Sequence, residues 1–266
     1  MLFAHLPHAD YPHADLAHAF LHLAEVGFLP PNAPLTPGHK DGWGTVYYKN
    51  GNMEGWYRST SAATNDEYRE REINLITASA PDALLMHVRK GTVGEPSEHN
   101  SHPFVSGRFA FIHNGTLGKT DQVIFDPVRD RPLGETDSEL YFHLVIQELA
   151  VDEEHEAAKV MREITRTVKA LRVGTSHQGG GFTSASSILT DGRYAYVLRE
   201  YDEKHPFVQK YNAHDYYTLF LGEGSGGEHI VCSEQLALPE VKWSLLTNHS
   251  ITVIDLISGK VHTEVL

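Results

Sequence analysis

Leu84-Leu85-Met86-His87-Val88-Arg89-Lys90-Gly91-Thr92-Val93-Gly94 opens the stretch whose reading decides the fold, and Arg108-Phe109-Ala110-Phe111-Ile112-His113-Asn114-Gly115 closes it. The apolar run from Leu84 to Val88 suits a buried strand, and Arg89-Lys90-Gly91 cannot continue it comfortably. A guanidinium therefore stands at a strand end. After Asn100-Ser101-His102-Pro103-Phe104, residues 108–112 alternate. That alternation lays one apolar face on a core and delivers His113-Asn114-Gly115 to the far end of the strand. Loops held by buried strands are where binding groups collect.

Composition sets the outer limits. The 266 residues are 41% hydrophobic, enough for one large domain or two small ones with a real core. Lys+Arg number 22 against 35 Asp+Glu, a formal charge of -13, which argues against nucleic acid or an anionic membrane as partner. No apolar run reaches the length of a membrane span, and the first residues lack the pattern of a signal peptide. The single cysteine, Cys232, leaves no internal disulfide framework. These features lead us to expect a cytoplasmic protein.

Of 18 histidines, five fall early, at positions 5, 8, 13, 18 and 22. His18 and His22 share one face of a helix expected over 15–25, which Asp15 could cap and Gly27 could end. That spacing could hold zinc, but no third ligand accompanies it, so we expect packing and surface histidines and no metal. A proline-rich loop leads to Asp41-Gly42-Trp43-Gly44, and Asn50-Gly51 turns the chain into a hairpin. A helix is expected over 66–79, followed by the organising stretch and a connecting segment at 121–133.

Thr136 and Glu139 have capping-box spacing at the start of a helix running to Leu149 that is apolar nearly all round. Such a helix is buried, and its N-terminus carries Asp137 into the protein. An amphipathic helix is expected over 153–173, with Ala157, Met161, Ile164, Val168 and Leu171 as its core stripe. Gly179-Gly180-Gly181 lacks a following Lys-Ser/Thr and is not a phosphate loop. Strands are expected at 185–190 and 194–199 around Asp191-Gly192, at 216–221, 229–232 and 251–255, and after Ser258-Gly259. Strands, helices and strands again give one α+β domain over 1–266, with helices packed outside two sheets.

Read together, Asp41-Gly42-Trp43-Gly44, His87 to Gly94, Asn100 to Phe104, Phe111 to Gly115, Gly134 to Glu139 and Cys232-Ser233-Glu234-Gln235-Leu236 resemble, in this order, a class II glutamine amidotransferase domain of the stand-alone type. The resemblance implies the N-terminal-nucleophile hydrolase fold, a four-layer αββα sandwich of two mainly antiparallel sheets flanked by helices, and no cofactor. It implies a glutamine or γ-glutamyl small molecule as substrate. Arg89 would grip the substrate carboxylate with a two-pronged guanidinium, and Asp137 would accept the α-ammonium. The Asn114 side chain and the Gly115 N–H would stabilise the oxyanion, at about 2.7–4 kcal/mol per donor in comparable sites.

In that family an N-terminal cysteine forms a thioester with its own α-amine as base, and glutamate leaves with ammonia or an amine. The chain reads Met1-Leu2-Phe3-Ala4, one step out of the family pattern, so the expected cysteine stands immediately before Met1. The rival expectation is an inactive relative that binds a γ-glutamyl ligand or a partner protein. The matched blocks end near Leu236, so no synthase is expected in the same chain; either a separate subunit accepts the ammonia or the reaction is plain hydrolysis. His102 and His113 are expected to shape loops by hydrogen bonding, Trp43 to be core or pocket wall, and Cys232 to be a buried strand residue.

Overall fold

The computed structural model describes residues 1–118, 132–176 (side chains to 172) and 182–266. In chain order its elements are β1 (Leu2–His5), α1 (His13–Val26), β2 (Trp43–Lys49), β3 (Asn52–Ser59), α2 (Arg69–Ser79), β4 (Ala83–Val88), β5 (Phe104–Ser106), β6 (Phe109–Asn114) and α3 (Asp137–Ile146). There follow α4 (Ala157–Ser176), β7 (Ser186–Thr190), β8 (Tyr194–Arg199), α5 (Pro206–Tyr211), β9 (Phe220–Gly224), β10 (His229–Cys232), β11 (Val241–Leu245), β12 (Ser250–Asp255) and β13 (Val261–Val265).

The strands form a seven-stranded sheet, β11-β9-β10-β1-β4-β2-β3, and a six-stranded sheet, β13-β12-β8-β7-β6-β5. Every pairing is antiparallel. The period of two along each strand sorts side chains into three cores. Leu2, Ala4, Leu84, Met86 and Val88 face α1 and α2. Phe3, Ala83, Leu85, Ala110 and Ile112 meet between the sheets. Phe109 and Phe111 turn the other way, onto α3 and α4. The layers are thus helix, sheet, sheet, helix, as the resemblance implied.

Several element limits differ from the sequence reading. The first helix begins at His13, and its N-cap Pro12 makes no side-chain cap; Asp15 lies in the first turn, where a carboxylate favours the helix dipole. The second begins at Arg69, because Asp66 is drawn into bonds from Trp43 Nε1 at 2.8 Å and Tyr57 Oη at 3.0 Å. The third ends at Ile146 rather than Leu149, and the fourth begins at Ala157 rather than 153. Residues Ala213–Tyr216 form a 3-10 turn, so β9 starts at Phe220 and not at 216. Of the segment 121–133 all but its last two residues, and all of Gly179-Gly180-Gly181, lie outside the described residues. His18 and His22 are exposed and face Glu70 and Glu25. No helix among the described residues is long and apolar enough to cross a membrane.

Candidate active site

The C-terminal ends of β4 and β6 and the N-terminal end of α3 open on one cleft of about 320 Å³, whose wall includes Arg89, Asn114, Gly115 and Asp137. The four residues singled out in the sequence are therefore brought together, and each is held by a local device.

Arg89 directly follows β4. Its backbone N–H donates to Gly42 O at 2.8 Å, and its carbonyl accepts from Asp41 N at 3.1 Å, so the Asp41–Gly44 turn clasps the strand end. The guanidinium donates to the carbonyls of Val93 (2.9 Å), Gly94 (3.2 Å) and Asp41 (3.3 Å). Among the described residues it makes no ion pair, Asp137 included. Burial lowers its pKa, opposed by the nearby Asp41 carboxylate. A buried cation satisfied only by carbonyl dipoles still has strong attraction left for an anion. Gly44 lets this turn close, since a Cβ there would meet the His102 carbonyl at 2.4 Å.

Asp137 is the first residue of α3, behind the N-cap Thr136, whose hydroxyl accepts from Glu139 N at 3.2 Å. Half of the expected capping box is present. The Glu139 carboxylate instead accepts from Leu133 N and Gly134 N, bracing the entry loop. Asp137 itself accepts from Leu117 N at 2.6 Å and Ser138 N at 2.9 Å. It is half-buried, which leaves carboxylate lone pairs facing the cleft.

Asn114 ends β6 opposite Ser186, and Gly115 follows with φ of 149°. A Cβ on Gly115 would lie 2.0 Å from the Ser184 carbonyl oxygen. Glycine is thus required by contact with Ser184, an origin the sequence did not disclose. Beneath them His113 bonds Ser138 Oγ at 2.9 Å and Ser184 O at 3.0 Å, the loop-shaping role expected of it. Burial lowers its pKa, partly countered by Asp137.

His102 departs from that expectation. Both its ring nitrogens are buried without a hydrogen-bond partner among the described residues, and it packs on His87 at 4.2 Å and Phe104 at 4.6 Å between ring centroids. Burial pushes both His87 and His102 well below the usual imidazole range; His102 further disfavours charge on His87, and His113 and Arg89 further disfavour it on His102. They act as apolar-like plates behind Arg89. His39, also in the wall, is lowered to about 4 by burial, with Lys90 as a lesser contributor. Trp43 is core and not pocket wall.

Three features of the cleft carried no signal in the sequence. The Met1 amine lies in its wall and donates to Ser233 Oγ at 3.1 Å. Thr183 Oγ1 accepts from Thr116 N at 2.9 Å, fixing the chain just beyond Gly115. Tyr216 and Tyr217 bring an aromatic wall. Cys232 pairs with Leu2 and is fully buried on the helix side of its sheet, with burial raising its pKa.

Comparison with known proteins gives one consistent result. The family model of class II glutamine amidotransferases matches residues 26–223. Glutamine–fructose-6-phosphate aminotransferase (isomerizing) of Haemophilus influenzae is 30% identical over 160 residues, which is 59% of this chain and 22% of that protein. The Vibrio vulnificus protein of the same name is 26% identical over 194 residues, 68% of this chain and 27% of that one. The chain thus spans about a quarter of the curated relatives it matches. Among solved structures, a glutamine aminotransferase class-II domain protein from Silicibacter pomeroyi superposes with a TM-score of 0.58 at 21% identity, covering 84% of this chain and 91% of that one. Glutamine phosphoribosylpyrophosphate amidotransferase from B. subtilis gives 0.59 at 14% identity, covering 99% of this chain and 48% of that one. At such identities the superpositions speak for the fold.

Proposed function

The chain belongs to the class II glutamine amidotransferases, and from that premise we propose that it acts as one domain, in the cytoplasm, to cleave the side-chain amide of glutamine or of a γ-glutamyl compound. The reading rests on one observation above all: a buried cation without an ion-pair partner among the described residues, a half-buried carboxylate, an amide side chain and a glycine line the same cleft. A γ-glutamyl group presents a carboxylate, an ammonium and a carbonyl, and these four groups answer them in kind. Arg89 takes the α-carboxylate as a bidentate partner. Asp137 takes the α-ammonium. The Asn114 amide and the Gly115 N–H take the oxygen as it gains charge.

In the hydrolysis the γ C–N bond breaks, the carbonyl carbon gains an oxygen from water, and the departing nitrogen gains a proton, leaving glutamate and ammonia or an amine. If the departing ammonia is instead passed on, an acceptor domain or a separate subunit takes it. Burial lowers the pKa of the histidines around the cleft, so they bring no positive charge to compete with Arg89 for the carboxylate.

A second reading, ligand binding without turnover, is favoured by one fact: the single cysteine is buried outside the cleft and is not the attacking group. One experiment separates the two. The protein is incubated with glutamine and a panel of γ-glutamyl amides while free glutamate is measured, and glutamate binding is followed by calorimetry in parallel. Release of glutamate supports the enzyme; binding without release supports the second reading; neither binding nor release overturns both.

A further inference from the structure

The cleft extends well past the four groups that answer a γ-glutamyl moiety, and its outer part is built from other material. Phe28 and Leu35 enter from the segment after α1, and Phe207, Tyr216 and Tyr217 from the segment between β8 and β9. That second segment has a small core of its own, Tyr201, Val208, Ala213 and Tyr217, against which Phe207 and Tyr216 pack. Its rings brace one another: Tyr217 stacks on Tyr201 at 5.9 Å, and Tyr216 meets Tyr217 edge-on at 5.1 Å between centroids. Such a wall is preformed.

Its attachments place it beside the reacting carbonyl. Tyr217 and Thr183 line the cleft together, and Thr183 Oγ1 accepts from Thr116 N at 2.9 Å, fixing the residue next to Gly115. Thr218 Oγ1 donates to Ser233 O at 2.8 Å, and the Ser233 hydroxyl accepts from the Met1 amine. The Arg89 guanidinium is tied elsewhere, to Asp41, Val93 and Gly94. The aromatic wall therefore flanks the amide end of a bound γ-glutamyl group and not its α-carboxylate end. The primary amide of glutamine ends in NH2, which has no apolar surface to lay on such a wall.

We propose that the outer chamber receives the amine half of a secondary γ-glutamyl amide and that this half carries an aromatic ring, stacked on Tyr216 and Phe207. Asp215 and Glu234 stand at the same rim with no cation paired to either among the described residues, so the ring bears no negative charge. Hydrolysis then consumes one water, breaks the γ C–N bond and releases glutamate and a protonated aromatic amine. The inference rests on the γ-glutamyl reading above, and names its substrate class.

Calorimetry with three ligands tests it: glutamine, γ-glutamyl benzylamide and the anionic γ-glutamyl 4-aminobenzoate, with free glutamate measured after each titration. The benzylamide should bind about tenfold or more tighter than glutamine, since a buried ring adds area that NH2 lacks. The 4-aminobenzoate should bind several-fold weaker than the benzylamide. In Phe207→Ala/Tyr216→Ala the ratio of benzylamide to glutamine affinity should fall towards one. Phe28→Ala, on the opposite segment and partly exposed, should lower the same ratio without touching the Tyr201 core. A benzylamide no tighter than glutamine, or a ratio that neither variant changes, overturns the aromatic-amine inference while leaving the γ-glutamyl reading in place. If no ligand binds and glutamate binding is also absent, the γ-glutamyl reading itself has failed.

Discussion

At the scale of single residues the cleft depends on groups whose chemistry has no close substitute. Arg89→Lys keeps the charge but loses the planar fork, so glutamate affinity should fall by about tenfold, or 1.4 kcal/mol, in calorimetry. Equal affinity in that variant would reduce Arg89 to a brace for its three carbonyls. Gly115→Ala sets a methyl against the Ser184 carbonyl at a backbone angle that L-residues rarely adopt. The cost should be about 1–3 kcal/mol of stability, read as a lowered urea midpoint, and glutamate affinity should drop with it. Cys232 should react with iodoacetamide only as fast as the protein unfolds, because the thiol is fully buried and its pKa raised. Rapid labelling of native protein would contradict that burial.

At the scale of elements, α3 aims Asp137 and the Thr136 hydroxyl starts α3. Thr136→Ala should therefore cost about 1 kcal/mol of stability and loosen Asp137, seen as weaker binding of glutamate. The elements that the sequence reveals are those with a strong period or a turn. β8 and β10 match the sequence reading residue for residue because alternation or a short apolar run marks them between clear turns. β4 and β6 were legible for the same reason, and with them Arg89 and Asn114-Gly115 at their ends. β11, Val241–Leu245, escaped notice: it is a short edge strand whose Val241 and Trp243 are only half-buried against the core, while Lys242, Ser244 and Leu245 are exposed. Phe207 carried no mark, and Tyr216 and Tyr217 read as the start of a strand, because a wall assembled by long-range contact leaves no spacing to detect. The same holds for Ser233 beside Met1 and for His102, whose partnerless burial contradicts what a polar residue type suggests.

At the scale of the whole molecule, six histidines among the described residues, His5, His39, His87, His102, His113 and His229, have pKa values lowered first by burial. Below the unfolded value of about 6.5 the unfolded chain binds protons that the native state refuses, so stability rises with pH there and falls on acidification. Each histidine can contribute up to about 1.4 kcal/mol per pH unit between its native pKa and 6.5. For His39 that window reaches down to about 4. The urea midpoint should therefore drop between pH 6.5 and 5, before ordinary carboxylates titrate; a flat midpoint over that range would show the rings are protonated in place.

The position of β1, the central strand of the seven-stranded sheet between β10 and β4, sets the order of events during synthesis. Met1 and Ser233, joined across the cleft, are 232 residues apart in the chain. At about 5–20 residues per second a ribosome separates their emergence by roughly 10–50 s. For that interval β1 has β4 on one side and an open edge on the other, a template for unwanted pairing. The cleft is therefore among the last things this chain can complete, and a nascent polypeptide halted before β10 should carry Arg89 and Asn114 yet bind no glutamate.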